Sequence, residues 1–445
     1  MPDTVEPAPP GRGGRLRWAA LGFVIGLLPA TLLFLLPIPG GGDLEPGDLF
    51  ILSGRDDSVG SQRLALIEFW NAMNPDNQAH LVELPEAADG QHAEMVNQAQ
   101  EGSEIDIFNL DVIWTAEFAE KGLLRPIDEA RLAEPAQDVF LKKPLLTCRY
   151  RDQLWALPFN TDAGLLFYRK SLGLRPPPDW ATIENESTRL LAAKTPGLQA
   201  GYTSQLGDYE GLTVNALEAL WAHGGELRVD DQGRVTVDRA RFTAALRSLA
   251  PPRPGRPAVV SPEALNQNEE RSRQAFAAGE VAFMRNWPVA YRQLTQTDAK
   301  AGPAGAAAAP ADFDVTALPG PSVLGGQNLA LSAHTAQPRA AQALIEFLTG
   351  EQSQRLLFER GGFAATRAGI YAEATVRQAY PYVETLLTVV ENANLRPVSP
   401  HYVTFSTVLR GYARTVLAGG DLPADLDERL TQALRGITPT EPAHD

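Results

Sequence analysis

The chain has 445 residues, 44% of them hydrophobic and 21% charged, with 39 Lys and Arg against 54 Asp and Glu for a formal charge of −15. That length suits two lobes rather than one small core. Basic residues cluster only near the start, which argues against a nucleic-acid partner because such binding needs a positive stripe.

The single cysteine, Cys148, allows no intrachain disulfide and reads as a buried thiol. Arg12, Arg15 and Arg17 precede an uncharged run from Trp18 to Leu36. A membrane span needs roughly 17–25 apolar residues, whereas a signal-peptide core has about 7–15. This run falls on the spanning side. The basic flank therefore predicts a cytoplasmic tail over 1–17, a single-pass anchor over 18–36 and a linker over 37–48, with the rest of the chain exported. A cleaved signal segment is the alternative, although no A-x-A-like site follows Leu36 and no cysteine there offers a lipid attachment point.

After the linker, Leu49–Leu52 reads as a strand ending in the turn-forming Ser53-Gly54-Arg55-Asp56-Asp57-Ser58. Apolar residues at Leu64, Ile67, Trp70 and Met73 predict a helix that stops before Pro75. The unit recurs as a strand over His80–Leu84, a helix over Gln91–Gln100 and a strand over Ile105–Leu110. A helix over Thr115–Lys121 follows, closed by Gly122. Three strand–helix units in succession imply a parallel sheet with helices on both faces, which binds ligands at the carboxyl ends of its strands. A strand over Leu165–Tyr168 precedes a more helical stretch, with helical spacing over Trp180–Leu191, Leu212–Trp221, Asp238–Leu249 and Pro262–Ala278. Leu227–Val237 reads as a hairpin, Ala299–Pro310 as a mobile surface loop, and Phe313–Leu318 and Leu329–Leu331 as strands. Ala336–Leu357 reads as two helices broken at Gly350, and the remainder is helical with turns around Pro381, Pro397 and Pro400.

Ordered segments along this frame carry a resemblance. They are Leu52-Ser53-Gly54 before a helix ending in Trp; Asp106-Ile107-Phe108-Asn109-Leu110-Asp111 with Trp114; and Leu157-Pro158-Phe159-Asn160-Thr161-Asp162. Phe276–Met284 with Trp287, Leu318-Pro319-Gly320 with Gly325-Gly326, and Arg396-Pro397 with Pro400-His401-Tyr402 complete the set. Each is weak alone, but their order and spacing from Leu49 to Leu434 resemble the family 1 extracellular solute-binding proteins of ABC importers, the group of the maltose- and trehalose-binding proteins. The resemblance implies an α/β, two-lobed, periplasmic-binding-protein-like (type II) fold with a ligand cleft between the lobes. Lobe I would take 49–161 and 318–365, and lobe II 162–317 and 366–445. The chain would cross near Asp162–Leu166 and again near Asp314–Leu318. It further implies a monomeric receptor that closes about a hinge on a sugar, a disaccharide by preference, and hands it to membrane permease subunits without catalysis.

A sugar offers hydroxyls that donate and accept and a ring face that is largely C–H, so a site needs carboxylates, amides and aromatic faces. Following the resemblance, Arg55 and Asp56 after the first strand are candidate contacts, although turn chemistry accounts for them equally well. Asn109 and Asp111, with Trp114, follow the third strand, where capping of the next helix is the competing role. Asn160 and Asp162 form a polar group in a crossing strand. Tyr209 and Glu210 open a helix, where a Glu suits the helix dipole with or without a ligand. Trp287 stands at a strand end and, by resemblance, stacks on a sugar ring. Gly326 allows close backbone approach, Gln327 donates and accepts, and Arg396 is able to fork two hydroxyls or a carboxylate.

His92 and His401 lack partners at metal spacing, so neither a metal nor another cofactor is expected. No G-x-S-x-G, H-E-x-x-H or P-loop is present. Asp111 and Glu210 would make a glycosidase pair only at the required separation, which nothing in the sequence fixes. A sensory ectodomain and a receptor for a glycerol phosphodiester are the other readings, the latter because of Arg55 and Arg396.

Overall fold

Apolar strands flanked by capped helices build two sheets. In the computed structural model, which describes residues 44–84, 88–252, 257–295 and 312–439, the first sheet begins with β1 (Leu49–Gly54). Helix α1 (Gln62–Met73) follows, its first turn capped by the preceding loop: Ser58 Oγ accepts from Gln62 N at 2.7 Å and Asp56 Oδ2 from Arg63 N at 3.1 Å. Trp70 is buried at the end of α1, and its indole N–H is satisfied by the Asn77 carbonyl at 2.7 Å. Next come β2 (Ala79–Leu84), α2 (Ala88–Gln98), β3 (Ile107–Asp111), α3 (Thr115–Glu120), β4 (Leu124–Arg125) and α4 (Lys142–Thr147). As the strand–helix repeat predicts, β1 lies parallel to both β2 and β3.

The strand β5 (Ala156–Ala163) ends at Gly164, and β6 (Leu165–Arg169) continues directly into a second sheet. That lobe contains α5 (Trp180–Ala192), β7 (Ala200–Thr203), α6 (Glu210–Ala222), the hairpin β8 (Leu227–Val229) and β9 (Val235–Val237), and α7 (Arg239–Ser248). It continues with α8 (Glu269–Ala277), β10 (Val281–Asn286), α9 (Val289–Thr295) and β11 (Phe313–Ala317). One helix was expected over 262–278. Instead, a short 3-10 turn over Pro262–Asn266 gives way to α8, because Gln267 is extended and accepts a hydrogen bond from Thr203 while Asn268 caps the new helix.

The chain returns to the first sheet through β12 (Leu324–Ser332), then runs through α10 (Pro338–Leu348) and α11 (Glu351–Leu356). It ends with α12 (Val383–Asn392), α13 (Tyr402–Leu417) and α14 (Leu426–Leu434). The strand order is β2-β1-β3-β12-β4, with β5 also paired to β12, in the first sheet and β11-β6-β10-β7 in the second. Strand β12 is antiparallel to β3, β4 and β5, so the expected parallel sheet is a mixed one. The second crossing falls at 318–323, later than expected, because β11 stays paired with β6 through Ala317. Helices α13 and α14 share the second lobe's core with α6 and α7, whereas α12 packs on β5 and β11, one strand from each sheet.

The expected cytoplasmic tail and apolar anchor, and the Ala299–Pro310 loop, lie outside the described residues. Among the described residues no helix is long and apolar enough to cross a membrane.

Candidate ligand-binding cleft

Three chain segments join the lobes, and each is held closely. Gly164 passes over a buried ion pair in which Arg285 Nε and Nη2 each donate to Glu218 at 2.8 Å. A Cβ at this position would lie 2.7 Å from Glu218 Oε1 and 2.9 Å from Arg285 Nε, so a larger residue would have to displace this buried pair. Glu218 Oε1 also accepts from Val323 N at 3.0 Å, tying the second crossing to the same pair. Val323 bridges Asn394 in the third segment, where Asn394 N donates to the Ser322 carbonyl and Leu324 N to the Asn394 carbonyl, each at 2.8 Å.

Sheet register lines up the polar residues of the first lobe. Gln327 on β12 stands opposite Asp111 on β3 and Asn160 on β5, and Gly326 and Gly325 stand opposite Thr161 and Asp162. Gly326 has φ +120°, and a side chain there would collide with the Asn160 carbonyl; the strand reaches this register only with glycine. Asn109 Nδ2 donates to Ser53 Oγ and Gln327 Oε1, both at 2.9 Å, and Asn160 Nδ2 donates to Asp162 Oδ2 at 3.1 Å. The remaining acceptors, Asn109 Oδ1, Asn160 Oδ1 and Asp162 Oδ1, are buried with no hydrogen-bond partner among the described residues. Buried acceptors of this kind normally have a partner. Burial, then the neighbouring Asp111, pushes the Asp162 carboxyl up to about 7 against the pull of Arg285 and Asn160.

Arg396, 7% exposed, spans the base of the cleft. It donates to Asp111 Oδ1 at 3.2 Å from the first lobe and to Glu210 Oε1 at 2.8 Å from the second. Glu210 also accepts from the hydroxyls of Tyr402 at 2.6 Å and Ser406 at 2.5 Å. Burial raises the Glu210 pKa, and Arg396, Ser406 and Tyr402 draw it back. Across from this pair, Trp287 is half-buried beside Gly325, with the Arg285 guanidinium 3.7 Å from its ring centroid. Its indole N–H donates to Glu269 Oε1 at 3.2 Å, and the Tyr209 hydroxyl donates to Glu269 Oε2 at 2.8 Å.

The structure thus gathers Asn109, Asp111, Asn160, Asp162, Tyr209, Glu210, Trp287, Gly326, Gln327 and Arg396 around one cleft. Three other sequence candidates stand differently. Arg55 is exposed to solvent, the Asp56 carboxylate is committed to the start of α1, and Trp114 is buried against His92 at 5.3 Å between ring centroids. Sequence reasoning missed Glu269, Arg285, Glu218, Tyr402 and Ser406. A charge inside the apolar run of β10 was a signal for Arg285; Glu269 carries none, because its helix start has its own cap.

The lobes also meet outside the cleft base. Arg410 on α13 pairs with Asp89 on α2 at 2.8 Å, and Gln293 Nε2 on α9 donates to the Asp57 carbonyl at 3.2 Å. These two contacts link the lobes at the edge of the cleft.

Comparisons agree with this architecture. The family model for bacterial extracellular solute-binding proteins matches residues 65–385. A probable ABC transporter-binding protein of Deinococcus radiodurans is 31% identical over 344 residues, 74% of this chain and 78% of the relative. A mannitol-binding protein of Pseudomonas aeruginosa is 26% identical over 371 residues, 80% of each chain. Maltose-bound MalE3 of T. maritima superposes with a TM-score of 0.76 at 26% identity, covering 87% of this chain and 99% of that one. Two sheets joined by crossing strands, with a polar cleft between them, and a family match over most of the chain give one conclusion: this protein belongs to the bacterial extracellular solute-binding proteins.

Proposed function

We propose that the protein is the substrate-binding component of an ABC importer, capturing a neutral sugar by hinge closure and delivering it to the permease without turnover. The observation that carries the reading is the set of unpartnered buried acceptors, Asn109 Oδ1, Asn160 Oδ1 and Asp162 Oδ1, in the same cleft as the half-buried Trp287. Acceptors without donors call for a ligand rich in hydroxyl donors, and an aromatic face calls for a C–H surface. A disaccharide supplies both, and the mannitol and maltose bound by the relatives named above are of the same polyhydroxyl chemistry. An anionic phosphodiester fits less well. Arg396 is already shared between Asp111 and Glu210, and Arg285 is paired with Glu218.

Ligand enters the open form and favours the closed one by its differential affinity. The closed protein is the form a permease would read. Thermal melts of the full-length protein with maltose, trehalose, mannitol and a glycerol phosphodiester test the reading. A specific sugar at a hundred times its dissociation constant adds about 2.7 kcal/mol. Stabilisation by the phosphodiester alone, or by a peptide or polyamine but no sugar, would overturn it.

A further inference from the structure

Glu269 begins α8 and faces two aromatic residues from different parts of the second lobe. One of its oxygens accepts from the Trp287 indole N–H at 3.2 Å, the other from the Tyr209 hydroxyl at 2.8 Å. A single carboxylate therefore fixes how the two rings stand relative to each other. Trp287 is engaged on further sides. Arg285 covers one face at 3.7 Å, and the Cζ3–Cη2 edge abuts Gly325, where a Cβ would lie 3.4 and 3.3 Å away. With its N–H edge, opposite edge and one face engaged, Trp287 is held in one orientation while remaining only half-buried. Burial and the adjacent Glu269 hold the Tyr209 hydroxyl well above its ordinary pKa, so it remains a donor to the carboxylate.

We propose that Glu269 is a positioning residue that presets Tyr209 and Trp287 as an aromatic wall, and that this wall makes the cleft select cyclic sugars over linear alditols. The inference rests on the sugar-binding reading. A pyranose presents a flat C–H face that can lie on an aromatic ring, whereas an extended alditol has no such face. Aromatic rings held in place before the ligand arrives spare the cost of ordering them on binding, about 0.5–1.5 kcal/mol for each side chain.

The test is calorimetric titration of the full-length wild type, E269A and E269Q with maltose and with mannitol, alongside thermal melts of each unliganded protein. The wild type is expected to bind maltose more tightly. E269A is expected to lower the maltose-to-mannitol affinity ratio roughly tenfold, the sum of two lost preorganisation terms. E269Q keeps one amide oxygen to accept one of the two bonds, so its ratio falls between. A ratio unchanged in folded E269A, or equal losses for both ligands, would overturn the inference. Should E269A fail to fold, an unchanged ratio in E269Q does the same, and so does a wild type that prefers mannitol. A wild type that binds neither compound removes the sugar reading, and this inference with it. Maltose binding with an unaltered ratio in the variants removes the inference alone.

Discussion

At neutral pH the Asp162 carboxyl sits near its midpoint, about 7, because burial and Asp111 disfavour its charge. The groups facing it are Asp111 on β3, Glu269 on α8, Arg285 on β10 and Asn160 on its own strand. The sign of the linkage follows. An ordinary aspartate has a pKa of about 3.9, so between roughly pH 4 and pH 7 the folded state holds a proton that the unfolded chain releases. Stability from this group declines as pH rises through that window. A ligand hydroxyl that donates to Asp162 Oδ1 favours the ionised carboxylate, so sugar affinity should weaken on acidification. Titrations at about pH 8 and about pH 5.5 are expected to show weaker binding at the lower pH, with proton release near neutrality. Asp162→Asn should flatten that dependence. A pH-independent wild type would mean that no ligand hydroxyl reaches this carboxylate. At this scale the sequence exposed residue types at strand ends but not their partners. Asp56 and Asp111 both stand at the carboxyl end of a parallel strand, yet one caps a helix and the other shares Arg396 across the cleft.

At the scale of elements, β12 is the part of the fold most constrained by its residues. Gly325 and Gly326 let it run against β5 while Trp287 rests on the same spot. Gly326→Ala would force a side chain into the Asn160 carbonyl at a φ of +120°. Strain of this kind costs about 1–3 kcal/mol. The expected result is a lower denaturation midpoint at unchanged m-value, together with weaker ligand binding as Asn160 and Gln327 lose register. An Ala variant as stable as the wild type would show that β12 relaxes freely. Most elements were legible from periodicity and breakers: the three parallel units, the hairpin, and the helix break at Gly350. The long β12 was seen only in its apolar half, since Gly-Gly-Gln breaks the strand pattern and pairing on both sides is what extends it. The single helix expected over 262–278 was divided by side-chain bonds from Thr203 and Asn268, which no local spacing reveals.

For the whole molecule, the proposed function depends on a balance between open and closed lobes. The lobes are linked by Arg396 at the cleft base and by the partly exposed Asp89–Arg410 pair at the edge. Exposed pairs contribute about 0–1 kcal/mol, so Asp89→Arg should reduce ligand affinity by no more than roughly fivefold and increase the ligand-free radius of gyration in small-angle scattering. Identical scattering and identical affinity would show that this pair plays no part in closure. What the sequence by itself determined is considerable: a family-length pattern of strands, helices and polar turns, hence the two-lobed class, and the residue types that a sugar needs. Those signals are local, being periodicity, caps and glycine positions, and a local signal survives in one dimension. Only the tertiary structure decided which polar groups meet: that Arg396 joins Asp111 to Glu210, that Arg285 is spent on Glu218, and that Glu269 aims two aromatic rings. The reason is physical. Buried charges must be paired, and the partner that satisfies each one is chosen by the crossing of distant strands, not by its neighbours along the chain.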